Sequence, residues 1–216
     1  MTELLHSDID LTSYEADFGD LALSADAQDL LFREAHTAYA FTDEPVTDEQ
    51  LRAVYDLVKW APTAMNSQPL RVVLVRSPEA RERLVRHMGG NNQARVAAAP
   101  VTAILAADVD FHDELHRTFP VFPGARELFT GDDLARERSA RFSAGLQAAY
   151  FLVGIRAAGL GAGPMTGFDA AGIDAEFFPD GAHRTLMVVN IGRTAADGGN
   201  RPRLPRLDYT DVVETV

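Results

Sequence analysis

Apolar residues recur along this chain with two periods, and each switch between them marks a change of element. From Thr47, the stretch TDEQLRAVYDLVKW sets Leu51, Val54, Tyr55 and Val58 on one face at helical spacing. Thr47 and Gln50 form a capping box ahead of it. Pro62 ends that helix, because it lacks an N–H and keeps Ala61 out of the α region. An earlier helix is predicted from Ser24 to Thr37, with Ser24 as N-cap, Asp26 in the first turn, and Leu30, Leu31 and Glu34 following. LRVVLVR (70–76) then turns to a β-branched run of strand length, and Ser77-Pro78 opens a helix with Pro78 at its first position. Ala99–Ala107 and Arg184–Gly192 read as two more buried strands. Between them a long helix starts near Asp132 and stops at Gly159. Its Ala144, Gly145, Ala148, Ala149 and Gly154 make a small-residue surface that lets another helix approach closely.

The helices outweigh the strands, and their order predicts an α+β or mixed three-layer fold. At 216 residues the expectation is an arm over residues 1–22, then one domain over 23–216 ending in a C-terminal arm. Composition narrows the function class. A formal net charge of −12 argues against a nucleic-acid partner, which needs a Lys/Arg surplus. The absence of cysteine removes disulfides, thiolate metal sites and Cys nucleophiles. The acidic N-terminus lacks the basic-then-apolar order of a leader, and Ala144–Leu160 is too short and too polar to span a bilayer. A soluble, cytoplasmic protein without a membrane partner is expected.

The candidate chemistry lies in loops. KWAPTAMNSQPLRVVLVR (59–76) sets Thr63, Asn66, Ser67 and Gln68 between two apolar elements and two prolines, more hydrogen-bonding groups than a connector needs. GLGAGPMTGF (159–168) is rich in hinge residues, but it leaves a helix rather than a strand and lacks the dinucleotide-fold glycine spacing, so it reads either as a helix C-cap at Gly159 with a tight loop or as a loop whose backbone N–H groups approach a flat ligand. GNNQARVAAAPV (90–101) sets Asn91, Asn92, Gln93 and Arg95 ahead of a buried strand. HDELH, with Asp113 where a zinc-protease helix needs Glu, reads as a solvated helix face, and RFSAG lacks the strand of a nucleophile elbow. No metal site is expected. Arg201, Arg203 and Arg206 stand out in the tail of an acidic chain, and arginine is the natural fork for a phosphate.

In this order the motifs AHTAYAFTDEPV, APTAMNSQPL, NQARVAAAPV, GAGPMTGF and an arginine-bearing tail ending in DVV resemble the FMN-dependent nitroreductase family, from about Ala27 to Val213. LFREAHTAYAFTDEPVTDEQL, GPMTGFD, GLQAAYF and PRLPRL look closest to its malonic semialdehyde reductase branch. The resemblance implies an α+β, three-layer homodimer with a central mixed sheet flanked by helices, the long helix at the dimer interface and FMN between the subunits. It also implies ping-pong transfer from NADH or NADPH through FMN to a small carbonyl such as malonic semialdehyde. Nitro, quinone or enone reduction, a biosynthetic flavin dehydrogenase, and a binding protein without FMN are the alternatives.

Position by position, the resemblance gives His36, Thr37, Tyr39, Thr63, Asn66 and Gln68 to the flavin or its phosphate. It gives Asn92, Gln93 and Arg95 to the pyrimidine edge, with Arg95 stabilising the N1/O2 end and no obligatory proton donor. Pro164, Met165, Thr166 and Gly167 form the loop facing N5 and O4, and Arg206, with Arg203 beside it, binds the phosphate. Two positions depart from the family pattern: His36 and Tyr39 stand where it has arginines, and an imidazole cannot make a bidentate fork. Arg71 and Arg141 are candidates for a substrate carboxylate.

Overall fold

The computed structural model of the protein describes residues 21–196 and 202–216. The expected N-terminal arm (1–22) therefore lies almost wholly outside the described residues, as does Arg201. Helix α1 (Ala25–Gln28) is capped by the Ser24 hydroxyl, which accepts from the Ala27 N–H, and runs on as a π-turn over Asp29–Arg33. It stops there, short of the predicted Thr37, because the following residues are drawn into the sheet edge. Helix α2 (Asp48–Val58) opens on the predicted capping box: the Gln50 N–H donates to the Thr47 hydroxyl at 3.2 Å, and the Gln50 amide oxygen accepts from the Thr47 N–H at 2.8 Å. Leu51, Val54 and Val58 are buried as the pattern predicts, while Tyr55 stays 58% exposed.

Four strands follow, in the spatial order β1 (Leu70–Val75), β2 (Val101–Asp108), β4 (His183–Gly192), β3 (Gly161–Met165). All three ladders are antiparallel, which corrects the expected mixed sheet. Strands β2 and β3 run the same way, joined by a crossover that includes α6, but β4 lies between them and antiparallel to both, so among the described residues parallel pairing is confined to an isolated bridge from Thr37 to Ala162. Strand β2 is buried on both faces, and its period of two divides the core. Val101, Ala103 and Leu105 face Val54, Val58, Phe151 and Ile155. Ile104 and Ala106 face Leu84, Val96 and Ile173. Helices α2 and α6 (Asp133–Ala157) thus cover one face; α3 (Pro78–His87), α4 (Asn92–Ala98) and α7 (Ala170–Phe177) cover the other.

The small-residue surface on α6 serves α2. A Cβ on Gly154 would lie 2.3 Å from Val58 Cγ1, so only glycine admits this approach. GAGPM, read from sequence as part of a loop, is strand β3; α4 and α7 were not delimited by the sequence pattern. A short helix α5 (Leu115–Thr118) precedes α6, and α8 (Tyr209–Val212) lies in the tail. His112 turns into the core while His116 is exposed and meets the Asp113 carbonyl, so HDELH presents no paired face.

Glu137 on α6 ties that helix to β4: it accepts from Arg141 at 2.7 Å and from Arg184 at 3.2 Å. The Arg141 hydrogen bond holds its carboxyl below the ordinary range, against the opposing effect of burial, and the two guanidinium charges add to the lowering. A depressed carboxyl stabilises the fold above its unfolded value of about 4.3 and loses that contribution as pH falls through the folded value. Glu137→Gln is therefore expected to be less stable than the parent in urea at pH 7, with a smaller gap at pH 3. An equal gap at both values would refute the pairing as its source.

Candidate active site

The first motif forms an edge along β3. The Ala38 N–H donates to the Ala162 carbonyl at 2.9 Å, and a Cβ on Gly163 would sit 2.6 Å from the Ala38 oxygen, so the glycines of GAGPM are what let the two backbones meet. Extended backbone alternates its side chains. Ala38 is buried and His36 shares its side, lining a recess of about 260 Å³ with Leu30, Arg156 and Arg193. Tyr39 points the other way and lines a separate recess of about 300 Å³ with Phe41, Ala94 and Arg95, and the alternation puts Thr37 on Tyr39's side.

On that second side four predicted residues converge. The Arg95 guanidinium lies 4.6 Å from the centroid of the Tyr39 ring and donates to Asn92 Oδ1 at 3.2 Å. Asn92 Nδ2 donates in turn to the Gly167 carbonyl at 3.2 Å. Gly167 also accepts from the Gly89 N–H at 2.9 Å, and Met88 bridges Phe168, so α4 and the loop after β3 are locked together. The other members of these motifs serve the scaffold. Gln93 ties back to the Met88 carbonyl at 2.9 Å, Met165 is buried in the core, Pro164 pairs with Val189, and Thr166 accepts from the Phe168 N–H.

Sequence reasoning missed Asn190. It is 2% exposed on β4, donates to the Arg95 carbonyl at 3.0 Å, and accepts from the buried Thr102 hydroxyl at 2.8 Å. A lone Asn within the apolar run VVNIG was the available signal, since a buried amide needs partners.

The loop carrying Thr63, Asn66 and Gln68 lies elsewhere. Met65, Asn66 and Gln68 have φ of 52°, 49° and 45°, a left-handed conformation that costs a non-glycine residue about 1–3 kcal/mol and gathers at functional loops. The Gln68 N–H donates to the Thr63 hydroxyl at 3.3 Å, Asn66 Nδ2 donates to the Thr118 carbonyl at 2.7 Å, and the Leu70 N–H donates to the buried Gln147 at 2.9 Å. Gln68 and Gln147 help line a cleft of about 610 Å³ with Tyr55, Arg71, Arg117 and Phe151. Arg71 is engaged there by Asp108 at 2.7 Å and by the Gln68 and Leu70 carbonyls, and Arg141 by Glu137.

The register sets the two halves apart. Leu70 pairs with Ala107, which pairs with Arg184, whereas Ala162 pairs with Ile191, which pairs with Val101. Leu70, where the loop carrying Gln68 ends, and Ala162, which pairs with the first motif, thus occupy diagonal corners of the sheet: three strand spacings across and six residues along put them roughly 24 Å apart.

In the tail, Arg203 reaches the first motif, donating to the Ala35 carbonyl at 3.1 Å and to Phe32 at 3.4 Å. Arg206 folds back on the carbonyls of Leu204 and Pro205. Arg156, behind His36, has a buried Nε without a partner among the described residues, and burial, then the Arg203 charge, lowers its pKa. Helix α6 also leaves an outer apolar face, with Leu134 74% and Phe142 70% exposed beside Leu146 and Tyr150. Among the described residues no helix is long and apolar enough to cross a membrane.

Known proteins resemble this chain in sequence and in fold. A Streptomyces griseus protein provisionally named NADH dehydrogenase/NAD(P)H nitroreductase is 60% identical over 196 residues, which is 91% of this chain and 99% of that one. A Streptomyces coelicolor protein with the same provisional name matches to the same extent. Among solved structures, a nitroreductase-type protein from Exiguobacterium sibiricum in complex with FMN superposes with a TM-score of 0.77 at 20% identity, covering 89% of this chain and 98% of that one. The Nitroreductase family itself matches residues 32–193, well over half of the chain, with all but the tail of the site just described inside that span. The chain belongs to the Nitroreductase family.

Proposed function

We propose that this chain is an NAD(P)H-dependent FMN oxidoreductase, acting as a homodimer in the cytoplasm through one domain over residues 23–216. The observation that carries the reading is the linkage of Tyr39, Arg95 and Asn92 to the loop at Gly167. Those residues fit a flat ring with hydrogen-bond acceptors along one edge. The Arg95 guanidinium lines the same recess as Tyr39, and Gly167 leaves room for the Asn92 amide, which a Cβ there would meet at 3.0 Å. The nicotinamide dependence comes from the names of the 60% identical relatives, and FMN from the ligand of the Exiguobacterium protein.

Bound FMN would supply the hydride chemistry between nicotinamide and substrate. The residues' own work is to bind and orient. Arg95 would hold the pyrimidine end by electrostatic preorganisation, with Asn92 fixing its guanidinium. Thr37 and Arg203 would take the phosphate, since Arg203 reaches the first motif while Arg206 is spent on its own neighbours. Thr63, Asn66 and Gln68 would come from the second copy, because the diagonal separation keeps them from the first half within one chain.

The substrate assigned is a small carbonyl such as malonic semialdehyde, on the strength of GPMTGFD and PRLPRL. The relatives' name favours nitro compounds as a second class on the same chemistry. Purified protein is expected to take up FMN and turn yellow, and Arg95→Met to weaken that uptake at least tenfold, the loss of one charge-assisted contact. A protein that stays colourless with added FMN sinks the flavin reading. Given uptake, kcat/KM on malonic semialdehyde at or below that on a nitroaromatic would move the assignment to the second class.

A further inference from the structure

We infer that Tyr39 is a positioning residue for Arg95, and that it thereby sets the redox potential of the bound cofactor; the inference rests on the flavin reading above. A lone arginine on a seven-residue helix, with one side-chain hydrogen bond, would swing through several rotamers. Three constraints prevent this. The Arg95 carbonyl is held by Asn190, itself anchored by Thr102 within the sheet. The guanidinium is oriented at one edge by Asn92. Its central carbon lies over the Tyr39 ring, 4.6 Å from the centroid, within cation–π range. Tyr39 is fixed in turn, because Ala38 beside it is hydrogen-bonded to β3 and buried against Gly161 and Gly163. An aromatic ring at this point does what a second cation could not: it attracts the guanidinium, without a like charge that would push it away.

The consequence is electrostatic. Negative charge gathers at the pyrimidine end of a flavin as it takes up electrons, so a cation fixed there favours the electron-rich state and raises the midpoint potential. A cation free to swing into water does so less. Tyr39 thus acts on the potential through Arg95, with no need to touch the reacting atoms.

The test is the midpoint potential of FMN bound to full-length protein, measured by equilibration with reference dyes. Tyr39→Leu is expected to lower the preference for the reduced over the oxidised cofactor three- to tenfold, tenfold being about 30 mV for a two-electron couple. Tyr39→Phe, which keeps the ring, should match the parent. In an Arg95→Gln background, Tyr39→Leu should produce no further shift. Should the leucine variant fail to fold, Tyr39→Met removes the ring in the same way. An unchanged potential in a folded, yellow ring-less variant, or an equal shift with Arg95 already gone, overturns the inference and leaves the flavin reading standing. A parent protein that takes up no FMN overturns both.

Discussion

Replacing Asn190 by Ala is expected to lower the unfolding free energy by about 2–4 kcal/mol, a loss comparable with that of emptying part of a core. The side chain is 2% exposed and makes two hydrogen bonds that nothing else nearby replaces in kind: it accepts from the Thr102 hydroxyl and donates to the Arg95 carbonyl. Truncation leaves a hydroxyl on β2 and a carbonyl on α4 without their partner, at about 1–3 kcal/mol each. The hydroxyl can rotate toward another acceptor, so the carbonyl sets the lower bound. Urea unfolding at unchanged m-value measures this directly. Thr102→Val should cost less, because Asn190 keeps its bond to Arg95, and adding Thr102→Val to Asn190→Ala should cost little more, since the two residues form one network. A loss below 1 kcal/mol for Asn190→Ala would mean that water takes over both bonds and that the amide is no anchor. The variant also tests the site, because the carbonyl it releases belongs to Arg95.

Asn190 shows what the sequence could and could not disclose. Local signals were read correctly wherever local physics decides. Ser24, Thr47, Ser77 with Pro78, and Asp132 each cap the helix predicted for it, because a cap is settled within four residues. Strands β1, β2 and β4 followed from β-branched runs. Tertiary contacts decided the rest. GAGPM has poor strand propensity and became β3 because its bare glycines admit Ala38 and because β4 offers an open edge. The helix expected to reach Thr37 ends early, since the same pairing pulls residues 37 and 38 into extended backbone. The motif residues were visible as polar groups in apolar surroundings, but their division was not. No spacing along the chain tells that His36 and Tyr39 face opposite recesses, or that Gln68 and Arg95 lie at opposite corners of one sheet.

That last separation leads to the largest effect expected of any substitution. If two copies each contribute half a site, two variants that bind no FMN at limiting concentration should recover binding when mixed. Arg95→Met disables one half. Asn66→Gly with Gln68→Gly disables the other without adding strain, because glycine adopts φ near 45–49° freely. Each variant alone forms pairs in which both sites carry the defect. A mixed pair with two-fold symmetry places both defects in one site and none in the other. Random exchange of equal amounts should therefore restore about one quarter of the sites, and successive affinity purification of mixed pairs through a different tag on each copy about one half. The apolar outer face of α6, with Leu134, Phe142, Leu146 and Tyr150, supplies the kind of surface such a pairing would cover. A site contained within one chain predicts no recovery at any mixing ratio. Absence of recovery in tagged pairs, with exchange confirmed by mass, would place the whole site in a single copy and require the 63–68 loop to act elsewhere. Recovery to half would show that the left-handed loop at one corner and the arginine at the other meet across two molecules.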